Sequence, residues 1–411
     1  MRKILGLTLG IMTALGGFVD LGQIVFTMQA GALFGFALLW VIALGTAAII
    51  IYMEMCGRVA VVAQEPVFAV VRARLGDRLG LVTLIASNLL NLITCAAELG
   101  GMAIVLQMLT GWGTRLCLIL AVLSLGAAVG LLKFEWIERT FGLSGLLMIA
   151  FAVAAVSLRP DWAHVSRGFL PNVPVSGSHA LLLYAYFAVG IFSAMLMEYE
   201  VHFYSSGAIE EDWKVEDLGQ NVAVAGIGSV LGAVLTCALL VLGTLVFLPH
   251  RIFPNAISTT AMTVALPFGP RTLQLGLLGI LACISGAAVE TALSGAYNIC
   301  QFYNLAWGKS LKMKDAPVYT ALWISMFAVA AVIAITGIKP LTLVNFSIVF
   351  GMVIMPLTYF PILKSAGDSN LMGKHANGKF YDVVGWIFLV MITVAAAAAI
   401  PLMILTHSGR P

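Results

Sequence analysis

Apolar runs long enough to cross a membrane recur along this chain, parted by short polar stretches. A helix needs about 20 consecutive apolar residues to cross a bilayer. On that measure eleven spans can be drawn, at about 5–28, 35–57, 80–109, 115–133, 136–157, 180–205, 220–248, 272–303, 317–336, 341–364 and 381–405. Strand-period alternation at about ten-residue spacing does not recur, which argues against a membrane barrel. Between spans two and three, Glu65 to Arg78 is amphipathic and reads as a surface helix, with Arg72, Arg74 and Arg78 on its polar side. The stretches 158–178 and 249–271 contain prolines and read as loops, and 206–219 is acidic.

Composition agrees. Of 411 residues, 61% are hydrophobic and 10% charged, against about 25% charged in soluble domains. Arg2 and Lys3 precede an apolar run without a small-residue cleavage site, so that run is expected to be the first span. With the N-terminus inside, 15 of the 22 Lys and Arg fall on the cytoplasmic side, which predicts N-terminus in and C-terminus out in the cell membrane. No basic stripe points to nucleic acid, and the six cysteines sit in or beside apolar segments without a CxxC pair. No P-loop, HExxH or GxSxG motif suggests an enzyme, and no resident cofactor is expected.

Spans one and six are both interrupted. Gly16-Gly17-Phe18-Val19-Asp20-Leu21-Gly22-Gln23 breaks the first, and Ser193-Ala194-Met195-Leu196-Met197-Glu198-Tyr199-Glu200 breaks the sixth. They stand five spans apart. Five is odd, so two blocks of five would have opposite orientation, the layout of inverted-repeat transporters. The repeats would cover about 5–157 and 180–364, with an extra helix at about 381–405.

An aspartate at mid-membrane depth persists only where it faces protein, water or a cation. Asp20 beside glycine-freed carbonyls could make a hard-oxygen cation site, or could simply cap the second half-helix. Glu98, in Cys95-Ala96-Ala97-Glu98, could line an ion path, accept a proton or bond a neighbouring helix. Glu198 and Glu200 are two apart and cannot share a helical face, so at most one should point at a site. Glu198 and His202 are four apart and could pair. Glu290 could line a vestibule, Asn345 and Ser347 could bond other helices, and Glu135, Glu138 and Arg139 read as a surface ion-pair cluster. No span has a basic residue at its centre. A bound cation would keep these carboxylates charged, which is the argument for a cationic substrate.

Four stretches, in order, resemble the NRAMP divalent-metal transporters. Asp20-Leu21-Gly22-Gln23 followed by Gln29-Ala30-Gly31-Ala32-Leu33-Phe34-Gly35-Phe36 resembles the family's DPGN and QAGAxFGY. Phe134-Glu135-Trp136-Ile137-Glu138-Arg139 resembles its fifth-helix start. Gly190 to Met197 resembles GxxGATVM, and Ser285-Gly286 through Thr291 to Tyr297 resembles the eighth-helix SSTxTGTYAGQ. The resemblance spans about residues 15–365 and implies a LeuT-like fold that imports Mn²⁺, Fe²⁺ or related ions, often with protons. By position it implies Asp20 as a metal ligand, Gln23 in place of the ligand asparagine, a backbone ligand at Ala194 and a thioether at Met197.

Departures stand beside it. Leu21 replaces the proline of DPGN, Met197-Glu198-Tyr199 replaces Met-Pro-His, and Cys95 replaces the aspartate of the third-helix DLAE, linked in the family to proton movement. The expected site is therefore Asp20, Gln23, Ala194, Met197 and Glu198, with Cys95, Glu98, Tyr199 and Glu200 along the ion pathway. The expected function is alternating-access import of Mn²⁺ or Mg²⁺ by a monomer in the lipid bilayer. The alternatives are transport of a small organic solute or monovalent cation, and a non-transporting receptor or sensor on the same scaffold.

Overall fold

A computed structural model describes residues 19–410, and among them every regular element is helical. Gly16, Gly17 and the first half of span one lie outside the described residues. The elements are α1 (Leu21–Phe34), α2 (Leu39–Ala63), α3 (Val67–Thr110), α4 (Thr114–Leu131), α5 (Phe134–Gly145), α6 (Ile149–Ser157), α7 (Trp162–Arg167) and α8 (Ser178–Ala194). There follow α9 (Glu198–Glu210), α10 (Leu218–Leu242), α11 (Ile257–Phe268), α12 (Leu273–Phe302), α13 (Pro317–Ile335), α14 (Pro340–Ala366), α15 (Ser369–Met372) and α16 (Lys379–Leu405).

Ten stretches among the described residues are long and apolar enough to cross a membrane. The first, Leu21–Ala63, has 43 residues, about twice what one crossing needs. A 3₁₀ turn at Gly35–Leu38 divides it, so it holds the end of expected span one and all of span two. The other nine follow the expected spans. The amphipathic stretch is continuous with span three in α3 but is set off by Gly76, whose φ of +74° only glycine adopts without strain. Its Arg74 pairs with Asp368 at 2.8 Å, and Arg72 bonds the Phe302 carbonyl at 2.8 Å, so both arginines tie it to later helices. The Arg74 guanidinium holds the Asp368 carboxyl below its usual range.

Three expectations change. The stretch 249–271 is not all loop: α11 occupies Ile257–Phe268, with Pro267 near its end. Twelve residues cannot span a bilayer, and the flanking prolines hid the helical run. The stretch 158–178 likewise holds α7. Glu135 and Arg139 do pair at 2.9 Å near the surface, but Glu138 is fully buried with Ile137 and Phe141 on the inner side of α5.

α3 lies at the centre of the bundle, packed on α12, α13 and α14. The outer helices α4, α13 and α16 turn Leu123, Val332 and Val394 outward, an apolar exterior suited to lipid. On the inner side, α1 crosses the end of α10 backbone to backbone. A Cβ at Gly31 would sit 2.2 Å from the Leu240 carbonyl oxygen, and one at Gly243 would sit 2.3 Å from that of Met28. Only glycine permits this approach.

A charged pair absent from the sequence reading anchors the far end of α2. Arg58 meets Glu54 through Nε at 2.8 Å and Nη2 at 3.0 Å, and donates to the His375 carbonyl and to Asn377 Oδ1, both at 2.6 Å. Removing one member of a buried pair costs about 3–5 kcal/mol because the other is left uncompensated. Arg58→Ala should therefore lower the unfolding midpoint in detergent, read by tryptophan fluorescence, and Glu54→Met with Arg58→Met should recover part of the loss. An unchanged midpoint for Arg58→Ala would rule out this anchoring role.

Candidate metal centre

The N-terminus of α1 is finished by two carboxylates. Asp20 is the N-cap, with φ −74° and ψ 176°, and its Oδ1 accepts from Gln23 N at 2.7 Å. Its Oδ2 accepts the Tyr199 hydroxyl at 3.3 Å. Leu21 N donates to Glu98 on α3, at 3.2 Å to Oε1 and 3.4 Å to Oε2. The first N–H groups of a helix have no partner within it, and its positive end favours anions. Both needs are met here by side chains, deep inside the protein, with Asp20 2% exposed and Glu98 fully buried.

The interruption between α8 and α9 faces the start of α1. α8 ends at Ala194, Met195 and Leu196 turn, and Met197, with φ −52° and ψ 117°, opens α9. The carbonyls in the last turn of α8 have no onward helix to bond. Gln23 reaches across to this turn, its Nε2 donating to Met195 Sδ at 2.9 Å and to Thr236 Oγ1 on α10 at 2.8 Å. Among the described residues Gln23 Oε1 has no hydrogen-bond partner. Ser294 on α12 steadies the start of α9 by donating to the Tyr199 carbonyl at 2.8 Å.

Asp20, Gln23, Tyr199 and Glu98 are thus joined by hydrogen bonds around the end of α1. Ala194 and Met197 are buried at the break beside them. Of the two glutamates, Glu200 lies within electrostatic reach of Asp20 and Glu290. Glu198 neighbours Tyr52, Ser87 and Thr358 on the other side of α9. The two diverge as the helical period requires. His202 does not pair with Glu198: its ring packs edge-on against Phe68, centroids 5.1 Å apart, and among the described residues neither nitrogen has a hydrogen-bond partner. Cys95 faces α12, its thiol 3.7 Å from the Ala288 carbonyl. Ser347 bonds the Val344 carbonyl of its own helix.

Met195 and Thr236 were missed from sequence. Nothing distinguishes one of 18 methionines, or a threonine on an apolar helix, until the turn brings them to Gln23. Among the described residues no three or more His, Cys, Asp or Glu side chains converge to hold a metal ion. Any cation held here would need neutral donors as well: the free Gln23 Oε1, a carbonyl from the end of α8 and a thioether at the break. Carboxylate, amide and carbonyl oxygens with sulfur form a mixed donor set that suits a transition metal over Ca²⁺.

The Gln23–Thr236 bond makes a test. Thr236→Val keeps the shape and removes the acceptor, which should lower stability by about 0.5–1.5 kcal/mol, while Thr236→Ser should match the parent. Equal thermal midpoints for all three proteins would mean the bond contributes nothing.

Comparison with known proteins supplies a context for this geometry. The sequence profile of the family described as natural resistance-associated macrophage protein-like (Nramp) matches residues 10–401. The divalent metal cation transporter MntH of Levilactobacillus brevis is 24% identical over 399 residues, covering 92% of this chain and 85% of the relative. MntH of Deinococcus radiodurans is 25% identical, covering 95% and 88%. In structure, the manganese transporter of Eremococcus coleocola superposes with a TM-score of 0.79 at 19% identity, over 96% of this chain and 86% of that one. A nucleobase-cation-symport-1 family transporter with bromovinylhydantoin bound superposes with a TM-score of 0.61 at 15% identity, over 98% and 91%. The fold is the LeuT-like arrangement of these transporters.

Proposed function

The chain belongs to the NRAMP family, and on that premise we propose that it imports a divalent metal cation, Mn²⁺, by alternating access. The observation that carries the reading is the meeting of the start of α1 with the break between α8 and α9 at one buried carboxylate, Asp20, with the Tyr199 hydroxyl on one of its oxygens. Asp20 is the charged ligand. Gln23 Oε1, the Ala194 carbonyl and the Met197 thioether complete the set, and Met195 holds Gln23 in position. Sulfur at the site supports Mn²⁺ over Mg²⁺. Glu198 and Glu200 keep the surroundings anionic, and Glu98 holds the end of α1 in place.

The protein acts as a monomer in the cell membrane, with the N-terminus cytoplasmic and the C-terminus outside. Two inverted five-helix repeats, with α16 added outside them, set the two breaks face to face. The ion enters and leaves as one repeat rocks on the other. No bond in the substrate is made or broken, so the protein works without catalytic residues or a resident cofactor.

A cap alone and a metal ligand predict different mutants. Asparagine caps helices as well as aspartate does, so Asp20→Asn keeps the cap and removes the charge. Losing a ligand should cut Mn²⁺ uptake into proteoliposomes by about tenfold or more while the unfolding midpoint stays near the parent's. Glu198→Ala, run beside it, should lower uptake less. Parental uptake by Asp20→Asn would reduce Asp20 to a cap, and parent uptake no higher than empty liposomes would end the metal reading.

A further inference from the structure

A second set of carboxyls leads away from the metal centre, and the centre does not use it. At the end of α9, a cleft of about 460 Å³ opens between the start of α5 and the segment after α9, lined by Glu135, Glu210, Glu211, Asp217, Lys133 and Lys309. By the orientation above it faces the cytosol.

Its acids differ in kind. Glu210 is saturated: Tyr297 donates to it at 2.9 Å, Ser310 N at 3.0 Å, and Lys309 N as well. Asp217 accepts from Lys214 N at 2.9 Å, and Asp212 pairs with Lys214. These close the loops. Glu211, half-buried, takes one donor, the Trp213 indole at 2.8 Å. Beneath it, Glu138 on α5 is fully buried, and among the described residues neither of its oxygens has a hydrogen-bond donor.

Glu138 faces the Glu211 carboxyl and lies within electrostatic reach of Glu290 and Glu135. Glu290 on α12 is likewise fully buried, with both oxygens unpartnered among the described residues. Glu290 in turn is within electrostatic reach of Glu200 and Tyr199, which border Asp20. α12 packs on both α5, which carries Glu138, and α9, which carries Glu200. Arg139, the basic residue nearest in sequence, is turned to Glu135 at the surface. Lys133 and Lys309 stand at the cleft wall.

A buried carboxylate without a cation or a donor is too costly to stay ionised, and two carboxyls in contact cannot both ionise. Such pairs share protons. A resident metal is a poor fit, because no three acidic, histidine or cysteine side chains converge among the described residues. Chains of intramembrane acids that hold protons one at a time are how membrane proteins build proton paths.

We propose that Glu290, Glu138 and Glu211 carry protons between the metal centre and the cytosolic cleft, on a path separate from Cys95 and Glu98. At each hop the O–H bond of a protonated carboxyl breaks, the proton passes through an intervening water where two carboxyls do not touch, and a new O–H bond forms on the next carboxylate. One charge moves one place, and water in the cleft supplies or accepts the proton at Glu211. Burial holds the Glu211 carboxyl above its ordinary range, with Glu135 acting in the same direction. The outer member can thus bind a proton more readily than a solvated glutamate. The inference rests on the transporter reading, and its test is kept independent of metal.

The full chain is reconstituted in metal-free liposomes holding a pH-sensitive dye, and a potassium gradient with valinomycin drives protons. Proton flux should exceed that of empty liposomes. Glu138→Gln, Glu290→Gln and Glu211→Gln should each lower it by about tenfold or more, and Glu138→Asp should restore at least part. Glutamine keeps the shape, and Glu211→Gln, at a half-exposed position, guards against a folding artefact at the two buried sites. Mn²⁺ uptake is read separately. Proton flux that is lost in the glutamine variants supports the relay even if Mn²⁺ uptake is absent, in which case only the metal reading falls. Parental flux in all three variants, or parent flux equal to that of empty liposomes, overturns the relay.

Discussion

A helix that ends inside a membrane leaves N–H and C=O groups that water cannot reach, and each must be satisfied by something the protein brings. The structure around residues 20–23 and 194–199 answers that constraint. Asp20 and Glu98 take the first N–H groups of α1. Gln23 spans from α1 to the turn after α8 and on to α10, and Ser294 secures the start of α9 from α12. Six helices therefore meet through side chains at two backbone ends. The glycine crossing of α1 on α10 brings the backbones close enough for Gln23 to reach Thr236. A cation bound here would add the positive charge that this arrangement of acids lacks. Fold and function thus draw on one cause: polar backbone left open in an apolar medium.

The outline of the fold was legible because the membrane makes it so. Twenty-residue apolar runs have few other meanings, and the breaks announced themselves by glycine and by acids where none should be. Short helices were harder to read. α11 is too short to span and is framed by prolines, so its run resembled a loop. The buried Glu54–Arg58 pair was hidden for the opposite reason, since it sits at the end of a span where charges are ordinary. Which side of a helix an acid faces depends on which neighbour the helix packs against. Glu135 and Glu138 are three apart in one helix, yet one pairs at the surface and the other is fully buried, facing the Glu211 carboxyl.

The geometry of the candidate site was legible in part. Asp20 stood out because an intramembrane aspartate is costly, and the motif around it gave Gln23, Ala194 and Met197 their places. Glu198 and Glu200 could be separated only as a pair that must diverge. The structure adds directions: Glu200 toward Asp20 and Glu290, Glu198 toward Ser87 and Thr358. Tyr199, where the family pattern has histidine, turned out to touch Asp20 directly through its hydroxyl. A phenol at that place is a weaker acid than an imidazolium and stays neutral. It can orient a carboxylate but is poorly suited to carry its proton.

That difference bears on how ion and proton movement could be separated. With a phenol at position 199 and Cys95 where the family pattern has an aspartate, two groups that would take up a proton beside the centre are replaced. The acids that remain sort by their hydrogen bonds. Glu210 is held by three donors and Glu98 by the backbone of α1, so each has a structural occupation that a proton would disturb. Among the described residues Glu138 and Glu290 have none. A buried acid that supports no helix end and closes no loop adds cost without adding stability. Its cost is explained only by what it binds, and for the inner members of a carboxyl chain that ends at an open cleft the smallest cation fits best.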